Sequence, residues 1–108
     1  TGNYEGSLSY LRELMSVEPK AKKVKEDISN VLVAVATSLL MKGDVRDAVK
    51  LFGEAVTENP NNAKAYLGLA RALLKTGAIP DAIDAGRKAL SLDPASNEAF
   101  NLMKEMVR

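Results

Sequence analysis

Apolar residues in this chain recur at intervals of three and four, the spacing that gathers side chains on one face of an α-helix. In "SLSYLRELMSVEP" Leu8, Leu11, Leu14 and Met15 keep that spacing, Ser7 stands as an N-cap and Pro19 ends the run. Beyond Pro19, Val24, Ile28, Val31, Leu32, Val35 and Leu39 continue without a breaker, which predicts one long helix over about residues 20–42. Gly43 suits the left-handed conformation that closes a helix, and Asp44 suits the cap of the next, whose apolar residues are Val45, Val49, Leu51, Phe52 and Val56. Asn59 and Pro60 stop it.

The same punctuation then returns. Asn62 caps a helix with Tyr66, Leu67, Leu69, Ala70, Leu73 and Leu74, and Gly77 ends it. Pro80 opens another helix from an N1-like position, where its missing N–H costs nothing, and Ile83, Leu90 and Leu92 follow before Asp93 and Pro94. Ser96 caps a last helix bearing Phe100, Met103 and Val107. Six helices in antiparallel pairs, joined by short turns, predict an all-α array of helical hairpins.

The two halves are in register at a period of 34 residues: Ala36 with Ala70, Gly43 with Gly77, Ala48 with Ala82, Ala55 with Ala89, and Pro60 with Pro94. Small residues at these places let paired helices approach closely, while Leu, Tyr and Phe fill the spaces between hairpins. The period and the order aromatic, Leu, small residue, Ala, Ala, Pro resemble the tetratricopeptide repeat. Residues 63–96 carry it through Tyr66, Leu69, Ala70, Gly77, Ala82, Ala89 and "LDP" at 92–94, and residues 29–62 through Val35, Ala36, Gly43, Ala48, Phe52, Ala55 and Pro60. Leu32 stands where an aromatic is usual, and Gly86 where a large apolar residue is usual. The resemblance implies one α-solenoid domain over residues 1–108. It comprises an N-terminal helix at 7–19, a repeat at 20–62 with an extended first helix, a repeat at 63–96, and a capping helix at 97–108. Half-repeats at both ends are what a piece cut from a longer protein would carry.

Composition narrows the chemistry. The 108 residues hold no Cys and no His, which removes thiolate nucleophiles, disulfides, the commonest general base and the commonest transition-metal ligands. Asp44, Asp47, Asp81 and Asp84 fall at helix starts or on polar faces, and Glu26 and Asp27 are adjacent on a helix and diverge, so no carboxylate pair is set for acid–base work. The glycines form no phosphate-binding pattern. These readings give a non-enzymatic domain without cofactor or metal. A net charge of +1 supplies no field for nucleic acid. The apolar run from Val31 to Met41 is too short to span a membrane, and "TGNYEGSLSY" has no signal-peptide character, so compartment stays open. Lys20, Lys22, Lys23 and Lys25 are read as a solvated helix start, with contact to an acidic partner as the competing reading.

The resemblance also implies where function sits. In tetratricopeptide arrays the first helices of successive repeats line a concave groove that binds an extended or helical peptide. Here it would present Asn30, Val33, Thr37, Leu40 and Met41, then Lys64, Leu67, Arg71, Leu74 and Lys75, then Asn101 and Glu105. An apolar strip flanked by three cations suits a protein segment with apolar anchors and a carboxylate or two. One subfamily grips the terminal carboxylates of heat-shock chaperones with Lys, Asn and Arg. The corresponding places here hold Val33, Thr37, Gly68, Glu98 and Leu102, which argues against that role. A self-assembly domain is the alternative, with copies pairing through Phe100, Met103, Met106 and Val107 or through Leu8 and Leu11.

Overall fold

The structure, a computed structural model, describes residues 22–107. Among them are five helices: α1 (Lys22–Lys42), α2 (Val45–Glu58), α3 (Ala63–Thr76), α4 (Ile79–Leu92) and α5 (Asn97–Met106). The helix expected at 7–19 and the first residues of the long helix lie outside the described residues.

The turns form where the sequence supplies special backbone. Gly43 and Gly77 adopt φ of 95° and 86°, the left-handed region that a β-carbon makes costly. Behind each glycine the chain folds back on the finished helix, Asp44 N–H donating to the Leu39 carbonyl at 2.9 Å and Ala78 N–H to the Leu73 carbonyl at 3.0 Å. At the helix starts, Asn62 and Ser96 cap as expected, accepting from the backbone N–H of Ala65 and Ala99. Asp44 does not. It occupies the N-cap place of α2, but its ψ of 65° departs from the extended geometry that aims a cap side chain at the first amides, and it makes no cap hydrogen bond. Pro80 is the second helical residue and Ile79 the first, a shift of one within the turn whose N–H groups lack helical partners anyway.

Packing follows the repeat. α1 pairs with α2 and α3 with α4, and the hairpins join through α2 against α3 and α4 against α5. Ala36, Ala48 and Ala55 are buried in the first hairpin, Ala70, Ala82 and Ala89 in the second, so the paired helices meet on small side chains. Ile28, Leu32, Val35, Leu39, Leu51 and Phe52 fill the larger core beside them. Burying each large side chain contributes about 1.5–3 kcal/mol. Leu32, in an aromatic place, is 4% exposed, so a leucine suffices there.

Two details fix the relation between successive hairpins. α1 touches α3 and α3 touches α5, whereas α2 and α4 make no contact, so the array closes on the side of the first helices and opens on the other. A buried polar network ties the first hairpin to the second. The Ser29 hydroxyl donates to the Ala55 carbonyl at 2.7 Å, and the Asn62 amide donates to Ser29 Oγ at 2.9 Å and to Asn30 Oδ1 at 3.0 Å. Nothing in it is orphaned.

Candidate functional site

Because α1, α3 and α5 lie side by side, residues that share a place in the repeat line up across the three helices. Asn30, Lys64 and Glu98 form one row, Val33, Leu67 and Asn101 a second, Thr37, Arg71 and Glu105 a third, and the pairs Leu40 with Leu74 and Met41 with Lys75 a fourth and fifth. None of these residues is buried.

The helices differ in character. On α1 the row is apolar: Val33 and Leu40 are half-buried against a core that includes Ala65 and Ala72 of α3, and Met41 stands 84% exposed. The Thr37 hydroxyl turns back to the Val33 carbonyl at 2.7 Å, a bond internal to the helix. Asn30 has its side-chain oxygen engaged by Asn62, so its first duty is to the joint between hairpins. On α3, Leu67 and Leu74 are half-buried toward α5, packed against the cluster of Ala70, Ala85 and Leu102. These four aliphatic residues are core on one side and surface on the other.

The three cations do not act alike. Arg71 reaches across to α5 and holds Glu98 at 2.8 Å, with both side chains substantially exposed. Lys64 and Lys75 are exposed and, among the described residues, make no ion pair. Lys75 and Thr76 line an open cleft of about 590 Å³ against Gly43, Asp44, Val45, Arg46 and Asp47, while Lys64 and Leu67 border a hollow of about 30 Å³ beside Ala89, Asp93 and Ser96. Glu105 and Asn101 are exposed on α5.

The places corresponding to the chaperone-tail grip are occupied otherwise. Val33 is half-buried, Thr37 is bonded to its own helix, Gly68 lies under the Phe52 ring, Glu98 is held by Arg71, and Leu102 is core. No cation or side-chain amide stands at any of them. In the lysine run, Lys23 pairs with Asp27 one turn on at 3.2 Å, and Lys25 is half-buried; Lys20 and the side chain of Lys22 lie outside what the structure describes. Among the described residues no three His, Cys, Asp or Glu side chains converge as metal ligands, and no helix is long and apolar enough to cross a membrane.

The expectation for the last helix is corrected in part. Phe100 and Val107 are 54% and 60% exposed, with the Lys104 ammonium 5.5 Å from the Phe100 ring centre. Met103 and Met106 are half-buried instead, because Gly86 leaves a space on α4 that their thioethers fill. Sequence reasoning missed Ser29 and the pairing of Arg71 with Glu98. The signal for Ser29 was its register, three and seven residues before Leu32 and Ala36 on the buried face.

Comparison with known proteins agrees with this architecture. The profile of the tetratricopeptide repeat family matches residues 34–97. The DnaJ homolog subfamily C member 7 homolog of Dictyostelium discoideum is 30% identical over 103 residues, covering 95% of this chain and 19% of that protein. The Hsp70-Hsp90 organizing protein 3 of Arabidopsis thaliana is 34% identical over 55 residues, 51% of this chain and 10% of that protein. The chain thus spans a fifth or less of these relatives. Among solved structures, the Arabidopsis OM64 TPR domain superposes with a TM-score of 0.72 at 21% identity, covering 98% of this chain and 88% of that one. The second TPR domain of human RPAP3, solved in complex with an HSP70 peptide, gives 0.73 at 15% identity, covering 99% and 89%.

Proposed function

The chain belongs to the tetratricopeptide repeat family, and on that premise we propose that it is a non-enzymatic interaction module that takes a protein segment on the face formed by α1, α3 and α5. The observation that carries this reading is the half-buried aliphatic set Val33, Leu40, Leu67 and Leu74, presented beside the exposed Lys64 and Lys75. Such a face offers apolar anchoring and charge at one place. A relative that bears the name Hsp70-Hsp90 organizing protein supports a protein partner for this face. The occupants of the tail-gripping places argue that this domain recognises something other than a chaperone's terminal carboxylates.

The test is selection of a displayed random-peptide library on the parent domain and on a Thr37→Arg variant, which sets a long charged side chain on the exposed face between Val33 and Leu40. A motif enriched on the parent and lost on the variant supports the reading, and enrichment indifferent to the change sinks it. A chaperone tail peptide belongs in the same assay, where it should bind no better than a scrambled peptide.

A second reading, self-assembly, is favoured by the exposure of Phe100 and Val107 at the end of the array. Mass in solution that rises with concentration in the parent and stays constant in a Phe100→Ser variant would support it.

A further inference from the structure

The face described above contains two furrows, and they are not equivalent. The furrow between α3 and α5 is bridged by Arg71 and Glu98, 2.8 Å apart. A ligand entering it must first displace that pair. The furrow between α1 and α3 is different: its α1 bank carries the half-buried Val33 and Leu40, and its α3 crest carries Lys64 and Lys75, unpaired among the described residues. Two unpaired cations bordering one aliphatic strip are the complement of an acidic, apolar partner.

The spacing decides the partner's shape. Val33 and Leu40 are seven residues apart, about 10 Å along the helix, and Lys64 and Lys75 are eleven apart, about 16 Å. A strand advances about 3.3 Å per residue with side chains alternating, so these distances correspond to about three and five residues, and the second anchor of each pair would point away. A helix laid along the furrow has the same rise as α1 and α3. Residues seven and eleven apart return to within about 20° of one face of it. Resting on the reading that this face binds a protein segment, we infer that the furrow between α1 and α3 docks an amphipathic helix of a partner protein, one with an apolar stripe and two carboxylates eleven residues apart along its edge.

Glu98 adds a selection rule. Arg71 lies between Lys64 and Lys75 on the same crest, seven residues after the first. Were it free, it would welcome a third carboxylate at the matching place. Held by Glu98, it does not, and a ligand carboxylate there meets an acid already in possession. Glu98 thus acts as a specificity residue against a continuous acidic edge.

The probe is a stapled Ala/Leu helix labelled for fluorescence anisotropy, with Glu at positions i and i+11. Its isomer carries the second Glu at i+9, on the opposite face. The first should bind at least tenfold tighter than the second, and Lys64→Glu with Lys75→Glu should remove that advantage. Adding Glu at i+7 should not help binding to the parent domain but should improve binding severalfold in Glu98→Gln. All these side chains are exposed, and circular dichroism checks that each variant stays folded. Equal binding of the two isomers, or indifference to the lysine changes, overturns the inference. If library peptides depend on Thr37 yet prefer extended sequences, or ones without carboxylates, the helical furrow is wrong and the broader reading stands. If no ligand is sensitive to Thr37→Arg, both fall.

Discussion

The Phe52 ring lies where a β-carbon on Gly68 would stand: a methyl built there meets Cε1, Cζ and Cδ1 of the ring. Phe52 is 1% exposed in the core of the first hairpin, so it has nowhere to retreat. Gly68→Ala should therefore destabilise the domain by about 1–3 kcal/mol, despite the better helix propensity of alanine. Urea denaturation measures it. Phe52→Leu should cost stability in the parent and much less in the Gly68→Ala background, where the smaller side chain relieves the clash. Additive losses would show that the two residues do not share one space.

One period later the sizes are reversed. Gly86 stands on α4 where Phe52 stands on α2, and Leu102 on α5 where Gly68 stands on α3. The space at Gly86 is filled by Met103, whose sulfur would come within 2.6 Å of an added β-carbon, and by the Met106 methyl at 3.1 Å. These are flexible thioether arms, not a locked ring. Gly86→Ala is thus expected to leave stability within about 1 kcal/mol of the parent, or to raise it through helix propensity. A loss as large as that of Gly68→Ala in the same denaturation series would contradict this.

These two glycines also mark how far the sequence could be read. The repeat, the turns at Gly43 and Gly77 and the caps at Asn62 and Ser96 depend on local backbone chemistry, which a single sequence displays. The large-for-small exchange between hairpins depends on which residues meet across helices. Periodicity names the face but not the partner, so Gly86 reads as a departure until Met103 is seen beside it. The candidate face divides the same way. Its row of residues follows from the repeat, whereas the drawing of Arg71 onto Glu98 is a contact between helices 27 residues apart in sequence, decided by side-chain reach.

Asn62 joins helix capping to the joint between hairpins, and its removal should exceed the cost of either role alone. Asn62→Ala deletes the side-chain acceptor for Ala65 N–H, which keeps only the carbonyl of residue 62 at 3.1 Å, and strips donors from Ser29 and Asn30, at 8% exposure. A lost cap costs about 0.5–2 kcal/mol and the two lost hydrogen bonds about 0.5–1.5 kcal/mol each, so a loss of about 2–4 kcal/mol is expected. Ser29→Ala should cost less. The Ala55 carbonyl it vacates still accepts from Asn59 N–H at 3.0 Å, and Asn62 keeps Asn30. Thermal or urea unfolding of the two variants gives the order, and a larger loss for Ser29→Ala would place the hub at the wrong residue.

The pair of Arg71 and Glu98 should matter for selection and little for stability. Its side chains are 44% and 68% exposed, so solvent and salt screen the attraction, and holding two long side chains in one geometry opposes it. Glu98→Gln is therefore expected to change unfolding free energy by less than about 1 kcal/mol, with the difference shrinking further in high salt. Glu98 also lies in the first turn of α5, where its charge meets the helix dipole at a gain of about 0.3–1 kcal/mol that salt screens as well, and the cap there is made by Ser96. Gln also keeps an oxygen in reach of the guanidinium while giving up the charge. A loss well above 1 kcal/mol would mean that the bridge fastens α5 to α3 as a structural clasp, and Glu98→Gln would then report on the joint instead of the ligand. A small loss leaves the variant folded as the parent is, with Arg71 free to meet a third carboxylate.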